Sequence, residues 1–473
     1  MKPFKCCARI LALCALLGAN GAVAQNPLVL DQFTADPTAR VFEGIVYVYP
    51  SHDIPASPGR GRANWFVMED YHVFSSENLT DWKDHGVILT QTDVPWLGRE
   101  SFDMWAPDCV FKNGKYYFYF PAGGRIGVAV ADRPFGPFKP EPQAIDGARG
   151  IDPCVLIDKD GTAYLYYSMN AIFVARLKDN MVELDSPVQR IENLPTNGLV
   201  EGPFVFERNG TYYLTYPHEV DGAERLEYAT ASSPMGPFEP KGVIMDRSAS
   251  GCWTNHHSIV EYRGRWYLFY HDQDLSPEFD KNRSMRADFL YFEEDGAIRK
   301  VIPTRRGVGI SDALREIQID RYSAVSPAGT SVAFVNPERK RDGWKAVLAA
   351  PEAWVQYDRV DFGAGKVRSV TARTLSLTGG RVEIRLDGKD GPLLAEVDVA
   401  KGADWGAVRA PVSGSPAGVH NLFVLLEEGT NVEIDWIHAE GIGHHWMIGY
   451  GHVGAGVRHW AAMAGRAVRL VEG

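Results

Sequence analysis

The feature that most constrains the fold of this chain is a β-hairpin unit that occurs five times. Each copy has a short apolar strand, a turn with a glycine, and a second strand rich in aromatic residues. The turn glycines are Gly44, Gly114, Gly161, Gly210 and Gly264, at spacings of 70, 47, 49 and 54 residues. Repeats of this length are typical of propeller blades, because one small sheet buries its faces only when neighbouring copies stack around an axis. The sequence therefore predicts an all-β protein with a five-bladed β-propeller over residues 25–319.

Acidic or histidine residues stand at the start of the first strand of each unit. They are Asp36, Asp108, Asp152, Glu201 and the pair His256-His257. The first strands of all blades line the central channel of a propeller, so we expect these side chains to converge although they are far apart in sequence.

Three of these carboxyl groups have a pattern suited to acid–base chemistry. Two carboxyl groups divide acid and base work only when their environments push their pKa values apart, and a third carboxylate nearby supplies such a push. For Asp108 we favour a structural turn in Trp105-Ala106-Pro107-Asp108. For Asp36, Asp152 and Glu201 we favour function over strand capping, because carboxylates among Tyr and Trp side chains are typical of a sugar pocket. The predicted chemistry is cleavage of a glycosidic bond.

The repeat ends near residue 320, and a different pattern follows. Short alternating strands with Gly-rich turns predict a β-sandwich, or jelly-roll, over residues 320–440. Residues 441–473 lose the strand alternation and have no functional interpretation.

The N-terminal residues 1–24 have the layout of a secretory signal peptide. Basic residues precede the apolar run 10–17, and Ala22-Val23-Ala24 forms a cleavage site. We expect cleavage after Ala24 and export to the periplasm or the medium. Lipid anchoring at Cys14 ranks second, because Leu13 stands where a small residue is needed.

The net charge and hydropathy of the chain exclude other classes. A formal charge of −11 argues against a general nucleic-acid binder, so we expect a neutral partner. No apolar run after the signal is long enough for a membrane span.

Five ordered motifs make residues 29–310, approximately, resemble glycoside hydrolase family 43. They are Phe33-Thr34-Ala35-Asp36-Pro37, Trp105-Ala106-Pro107-Asp108, Gly150-Ile151-Asp152-Pro153, Val200-Glu201-Gly202-Pro203 and Asn255-His256-His257-Ser258. The resemblance implies a five-bladed propeller that inverts anomeric configuration at α-L-arabinofuranosides or β-xylosides. It implies that Asp36 is the general base, Asp152 the pKa modulator and orienter, and Glu201 the general acid.

The same resemblance implies roles around these carboxyl groups. Phe33 and Trp105 would form apolar walls of the sugar pocket, with core packing as the alternative, and Arg283 would contact substrate or the acid. His256 matches a channel His that binds a structural calcium ion, directly or through water, or a water cluster; both remain compatible with the residues. No cofactor is expected for the chemistry itself.

The C-terminal part, about residues 318–440, is similar to carbohydrate-binding module family 6. The resemblance rests on motifs such as Trp354-Val355-Gln356-Tyr357 and Asn431-Val432-Glu433-Ile434-Asp435-Trp436. It implies a cleft in which Trp344, Trp405 and Asn431 bind a sugar, with a packed sandwich residue as the alternative for Trp405. Gln318-Ile319-Asp320 replaces the Glu-rich calcium motif of that family.

The main hypothesis is an exported inverting hydrolase that releases α-L-arabinofuranosyl residues from arabinoxylan or arabinan. The alternatives are a β-xylosidase acting on xylan or xylo-oligosaccharides, and a non-catalytic glycan-binding propeller. All three have a plant cell-wall polysaccharide or oligosaccharide as partner, and neither nucleic acid nor a membrane span.

Overall fold

A computed structural model describes residues 25–339, 342–414 and 416–441. The predicted signal peptide and residues 442–473 of the predicted tail lie outside these ranges. Within them the fold is all-β, and a short 3-10 turn lies at Gln91–Asp93. No helix in this part of the chain is long and apolar enough to cross a membrane.

Five antiparallel sheets follow one another along the first part of the chain and form the predicted blades. Blade 1 contains β1 Ala35–Phe42, β2 Ile45–Ser51, β3 Asp70–Ser76 and β4 Lys83–Thr90. Blade 2 contains β5 Asp108–Lys112, β6 Lys115–Ala122, β7 Arg125–Ala131 and β8 Lys139–Pro140. Blade 3 contains β9 Ile151–Ile157, β10 Ala163–Ser168, β11 Ile172–Leu177 and β12 Gln189–Arg190. Blade 4 contains β13 Phe204–Arg208, β14 Thr211–Val220, β15 Ala223–Ala231 and β16 Glu239–Met245. Blade 5 contains β17 Ser258–Tyr262, β18 Arg265–Asp272 and β19 Ser284–Leu290.

The turn glycines close the first hairpin of each blade as the repeat predicts. In four blades the turn has two residues with positive φ, such as Asn113 (φ 51°) and Gly114 (φ 78°). This is the type I′ geometry that matches the twist of the flanking strands. Blade 3 differs, because residues 158–162 form a longer loop in which the Gly161 N–H donates to the Asp158 carbonyl (2.9 Å).

Hydrogen bonds link neighbouring blades near their first strands and join the fifth blade to the first. They are Thr38 Oγ1 to Pro107 O (2.7 Å), Val155 N to Asp108 Oδ2 (2.6 Å), Gly202 N to Asp152 Oδ2 (3.2 Å), His257 Nε2 with Thr215 Oγ1 (2.6 Å) and Ser258 Oγ to Pro37 O (2.7 Å).

The N-terminal segment, residues 26–34, runs beside β19 and completes the ring. The Leu28 N–H donates to the Met285 carbonyl and the Thr34 N–H to the Arg283 carbonyl, both at 2.9 Å. The buried amide of Asn26 donates to the Ala287 carbonyl at 3.0 Å. The two ends of the propeller sequence are therefore held in one blade.

Two sheets with a shared apolar core form the second domain. One sheet has β20 Ser311–Asp312, β25 Trp354–Asp361, β30 Val419–Gly429, β27 Gly380–Leu386 and β28 Leu393–Val399 in that order, with β22 Ala324–Val325 paired to β25. The other has β23 Thr330–Phe334, β24 Trp344–Leu348, β31 Val432–Gly441, β26 Val367–Ser376 and β29 Gly406–Pro411, with β21 Ile317–Gln318 paired to β31. The predicted β-sandwich is thus present, and β20 and β21 join it from the propeller side of residue 320.

The buried Arg306 connects the two domains. Its guanidinium donates to the Asp358 carbonyl (2.7 and 3.0 Å) and the Gly309 carbonyl (2.7 Å), and it lies over the Tyr357 ring. The bonds to Asp358 satisfy a carbonyl group of the sandwich with a side chain that follows the last blade.

Candidate active site

Asp36 and Asp152 occupy the same place in blades 1 and 3. Each precedes a proline and stands in a register break at the start of its strand, β1 or β9. Each has a positive φ, 46° for Asp36 and 54° for Asp152. A bulge of this kind turns a side chain away from the regular alternation of the strand. Both carboxyl groups are buried, and they lie at the end of the propeller where the first strands of the blades begin.

The Asp36 carboxylate is held from two sides, and the Asp36 backbone is held as well. Arg283 Nη1 donates to Oδ1 at 2.9 Å, and Ser51 Oγ donates to Oδ2 at 2.6 Å. The backbone N–H of Asp36 donates to Nδ1 of His271 at 3.0 Å. These contacts fix the carboxylate orientation without using a catalytic proton.

The local charges keep Asp36 ionised. Burial alone would raise the pKa of Asp36, but the positive charge of Arg283 and the hydrogen bond from Ser51 outweigh it and lower the pKa to about 2. Near neutral pH this group is a carboxylate, which is the state that a general base requires.

Arg283 is a buried bridge between Asp36 and a second carboxylate, Asp53. Its Nε and Nη2 donate to Asp53 at 2.9 and 3.0 Å, and its backbone N–H donates to the same group at 2.8 Å. Phe66 covers the guanidinium, with 4.5 Å from its ring centroid to the Arg283 carbon. The predicted Arg283 is thus in the site, and it contacts the predicted base.

Gly202 brings Glu201 next to Asp152. The Gly202 N–H donates to Asp152 Oδ2 at 3.2 Å. A Cβ at this position would meet Pro217 Cγ at 2.8 Å and His256 Nδ1 at 2.9 Å, and φ is +53°. Only glycine fits so close an approach in this conformation. The start of blade 4 can therefore pack against the carboxyl group of blade 3.

Glu201 and Asp152 titrate as an interacting pair. Burial, with a contribution from the charge of Asp36, raises the pKa of Glu201 to about 7, although Glu224 and Arg283 act in the opposite direction. Burial also raises the pKa of Asp152 well above its usual range, and the charges of Glu201 and Asp36 add to this. Since two buried like charges oppose each other, the pair retains a proton near neutral pH.

Glu224 is a third carboxyl group on this side of the site, and the motifs did not identify it. It lies on β15, is buried, and its Oε2 accepts the Asn255 N–H at 2.7 Å. Burial raises the pKa of Glu224 well above its usual range, and the neighbouring Glu201 raises it further. The two carboxyl groups also share a side-chain hydrogen bond, which lowers the pKa of Glu201 and raises that of Glu224.

The histidines of the site are neutral near pH 7. Burial lowers the pKa of His256 to about 4 and that of His271 to about 3. Because His271 Nδ1 accepts the Asp36 N–H, its proton is on Nε2, near the Thr254 carbonyl (3.2 Å). The buried His257 contacts Thr215 instead.

A family model places this site among known proteins. Residues 24–298 match the model of glycosyl hydrolases family 43. The chain belongs to this family. The predicted resemblance is confirmed, and the carboxyl groups described above belong to a glycoside hydrolase.

Similar proteins extend the family 43 assignment. The xylosidase/arabinosidase 43A of Humicola insolens is 37% identical over an alignment of 326 residues, and the match covers 58% of this chain and 98% of that protein. A family 43 β-xylosidase/α-arabinofuranosidase from a compost metagenome, solved with xylotriose in a calcium-free form, is 38% identical with a TM-score of 0.54, covering 59% of this chain and 98% of its own. The arabinoxylan arabinofuranohydrolase of Bacillus subtilis, solved with cellotetraose, is 26% identical with a TM-score of 0.55, covering 89% and 99%. Residues 327–440 match the model of carbohydrate-binding module family 6, as expected.

The other predicted residues of the family 43 domain lie close to this site or beside it. Asp108 is structural, because its carboxylate accepts from Arg40 (2.6 and 2.9 Å) and from the Val155 N–H. Phe33 is half-buried, and Trp105 packs partly against the core of blades 1 and 2. Their roles as walls of a sugar pocket stay predictions.

A calcium ion held by His256 through water stays a prediction, because the clustered side-chain donors lie elsewhere. Calcium takes six to eight oxygen ligands. Across residues 25–339, 342–414 and 416–441, two groups of three or more His, Cys, Asp or Glu donors converge closely enough for an ion, and neither contains His256. The nearby Asp36 carboxylate is already paired with Arg283.

The predicted sugar-binding residues of the sandwich lie at one sheet and its loops. Trp344, on β24, is 40% exposed and stacks on Phe334 with ring centroids 3.9 Å apart. Trp405 is half-buried, with the cations of Arg373 and Lys345 over its ring at 4.9 and 5.8 Å. At least one face of Trp405 is therefore already packed. Asn431 immediately precedes β31, and its carbonyl accepts from Ser376.

Sequence reasoning missed four residues that hold or tune the carboxyl groups: Ser51, Asp53, Glu224 and His271. A signal existed for Ser51, because Ser168 stands at the matching end of the second strand of blade 3. Glu224 and His271 lie on strands and Asp53 lies just after β2, and none of the three belongs to a shared motif.

Proposed function

We propose that this family 43 enzyme is an exported, inverting α-L-arabinofuranosidase that acts on arabinoxylan. The observation that carries the proposal is the opposite protonation of buried Asp36 and half-buried Glu201 in one cluster: the pKa of Asp36 is lowered to about 2 and that of Glu201 is raised to about 7. Between these values one group is a base and the other an acid, which is the division that glycoside hydrolysis needs.

In the proposed reaction, Glu201 donates its proton to the glycosidic oxygen as the bond to the anomeric carbon breaks. Ionised Asp36 accepts a proton from the water that attacks the opposite face of the sugar. Asp152 lies beside Glu201 through the Gly202 contact and helps to keep a proton on the acid side of the site. The reaction uses only carboxyl groups of the chain.

The placement of the two groups favours inversion. Asp36 comes from blade 1 and Glu201 from the start of blade 4, which are not adjacent blades. An inverting enzyme leaves room for a water between its carboxyl groups, which are then about 6.5–9.5 Å apart, whereas a retaining enzyme needs about 5–5.5 Å.

The similarity over both domains supports arabinoxylan as the substrate. The Bacillus subtilis arabinoxylan arabinofuranohydrolase covers 89% of this chain, including the sandwich. Arabinan is the alternative polymer with the same terminal sugar.

A β-xylosidase is the second candidate, and a specific observation favours it. The relatives that match the propeller at 37% and 38% identity are named for both xylosidase and arabinosidase activity, and one was solved with xylotriose. Xylan and xylo-oligosaccharides would then be substrates, alone or beside arabinoxylan.

Hydrolysis of nitrophenyl α-L-arabinofuranoside and nitrophenyl β-xyloside separates these candidates. The proposal expects the higher kcat/KM on the arabinofuranoside, and a strong preference for the xyloside would replace it by the second candidate. No turnover of either compound, together with binding of arabinoxylan, would indicate a glycan-binding propeller without catalysis.

Proton NMR of the first product, recorded before mutarotation, tests the stereochemistry. The proposal expects the anomer of inverted configuration. A retained anomer would contradict the roles of Asp36 and Glu201.

Export rests on the layout of residues 1–24. The proposal expects mature protein that begins at Gln25 in the periplasm or medium, which mass spectrometry of the exported protein measures. A lipid-modified Cys14 would contradict it.

We assign the sandwich a role in holding polysaccharide near the propeller. Such a module contributes by proximity and not by chemistry. Trp344→Ala should weaken binding to insoluble xylan about two- to tenfold, since one aromatic contact contributes about 0.5–1.5 kcal/mol, and leave aryl glycoside hydrolysis unchanged. Leu377→Ala, another exposed apolar position, is the control.

A further inference from the structure

A second group of side chains lies on blade 1, separate from the carboxyl cluster. His52 follows β2, and Asp70 and His72 lie on β3, two residues apart and so on one face of the sheet. Their potential donor atoms all lie within 4.8 Å of one another. His52 Nδ1 is 2.6 Å from Asp70 Oδ1, and His72 Nε2 is 3.9 Å from the same oxygen.

Asp84 fixes the orientation of the His72 ring on the side away from Asp70. Its Nδ1 lies 3.0 and 3.1 Å from the two oxygens of Asp84, and Gln32 Nε2 and the Gly86 N–H donate to Asp84 at 2.9 and 2.7 Å. A carboxylate on one ring nitrogen, with the other nitrogen directed at a ligand position, is the usual arrangement of a metal-binding histidine.

Hydrogen bonding alone does not account for this group. The His52–Asp70 and His72–Asp84 contacts use one nitrogen of each ring. The distance of 3.9 Å from His72 Nε2 to Asp70 is too long for a hydrogen bond. The three side chains are 14–20% exposed, so an ion can reach them while the blade shelters it.

We propose that His52, Asp70 and His72 form a zinc-type transition-metal site, with water as the fourth ligand. Two imidazole nitrogens and one carboxylate oxygen suit Zn²⁺ and the neighbouring ions Co²⁺, Ni²⁺ and Cu²⁺. Calcium and magnesium prefer sets of oxygen ligands. This inference is independent of the proposed substrate.

The site has a structural connection to the candidate active site. The residues on either side of His52 are Ser51, which donates to Asp36, and Asp53, which accepts from Arg283. An ion on His52 would thus anchor the end of β2 that holds the predicted base.

Isothermal titration of untagged, chelator-treated full-length protein with Zn²⁺ tests the proposal. The wild type should bind one strong equivalent, which His72→Ala removes. Asp84→Asn, which changes only the residue behind His72, should weaken that equivalent about 10–100-fold. Zn²⁺ should also raise the Tm of the wild type and not that of His72→Ala, because ligand binding to the folded state stabilises it.

Two controls separate this site from other histidines. His85→Ala, on the same blade but bonded to Ser75, should keep the strong equivalent. His444→Ala/His445→Ala removes a histidine pair of the C-terminal segment and should also keep it. Absence of saturable Zn²⁺ binding by the wild type, or equal loss in either control, would overturn the proposal. Circular dichroism of each apo variant checks that it is folded.

Discussion

Blades 1 and 3 present the same local structure with opposite chemistry. Asp36 and Asp152 both precede proline, both have a positive φ, and both lie in a register break opposite the end of a second strand. Yet the pKa of Asp36 is lowered to about 2, because Arg283 overcomes the effect of burial, while burial and the charges of Glu201 and Asp36 raise that of Asp152. The local motif positions a carboxyl group, and residues from other blades decide whether it carries a proton.

The largest expected effect comes from removing either proton-transfer group. Asp36→Asn and Glu201→Gln should each reduce kcat on polysaccharide by about 10³-fold or more, because general acid and base catalysis contribute about 10²–10⁴ each. Glu201→Gln should lose much less on nitrophenyl glycosides, whose leaving group needs little protonation, whereas Asp36→Asn should lose on both. Steady-state rates on both substrate types measure this. Near-wild-type turnover of polysaccharide by either folded variant would contradict the assignment.

Arg283→Met should make the pKa of Asp36 in blade 1 more like the raised pKa of Asp152 in blade 3. Without the guanidinium, the pKa of Asp36 should rise by about 1–3 units, so the acidic limb of kcat/KM against pH moves upward. Activity requires ionised Asp36 and is lost as pH falls through its pKa. The variant should therefore lose activity at mildly acidic pH where the wild type keeps it.

The same substitution leaves Asp53 buried without its partner and should lower the Tm. Arg283→Met/Asp53→Asn should recover part of that stability while the acidic limb stays shifted. An unshifted limb in both variants would mean that Arg283 does not set the protonation of Asp36.

Asp152→Asn should have an intermediate effect on the alkaline limb. Glu201 must be protonated to act, so kcat/KM falls as pH rises through its pKa of about 7. Removing the interacting carboxyl group should move this limb down by about one unit, a tenfold loss on the alkaline side. An unchanged limb with a lower kcat would assign Asp152 to orientation alone.

The smallest expected change in the pH profile comes from substituting Ser51, with Ser168 as its matched control. Ser51 and Ser168 stand opposite Ala35 and Ile151, the residues before the two aspartates. Ser51 donates to Asp36, while Ser168 Oγ has no hydrogen-bond partner in the described part of the chain. Ser51→Ala should move the acidic limb upward by less than one unit, and Ser168→Ala should leave it in place. Equal shifts would show that the serine contact does not tune Asp36.

In this molecule the sequence predicts the positions of the catalytic carboxyl groups better than their protonation states. The glycine repeat predicts the five blades, and the acidic residues at the strand starts predict where Asp36, Asp152 and Glu201 meet, because blade geometry follows from local patterns. Arg283 was found only through the resemblance to family 43.

The remaining parts of the site depend on contacts that no local pattern encodes. Asp53 lies just after the second strand of blade 1, and Glu224 lies on the third strand of blade 4. Both are buried by packing against other blades. The raised pKa of Asp152 has no signal in the sequence either, since the extent of desolvation is visible only in three dimensions.

The closing of the ring by residues 26–34 has a consequence for the order of folding. Arg283 is 247 residues away from Asp36 in sequence, and it comes from the segment that leads into β19, beside which the N-terminal segment lies. During synthesis from the N-terminus, blade 1 therefore cannot form its contacts with Arg283 until blade 5 has been synthesised. In an incomplete chain, Asp36 lacks the positive charge of Arg283. The active site is therefore complete only after all five blades have folded into the ring.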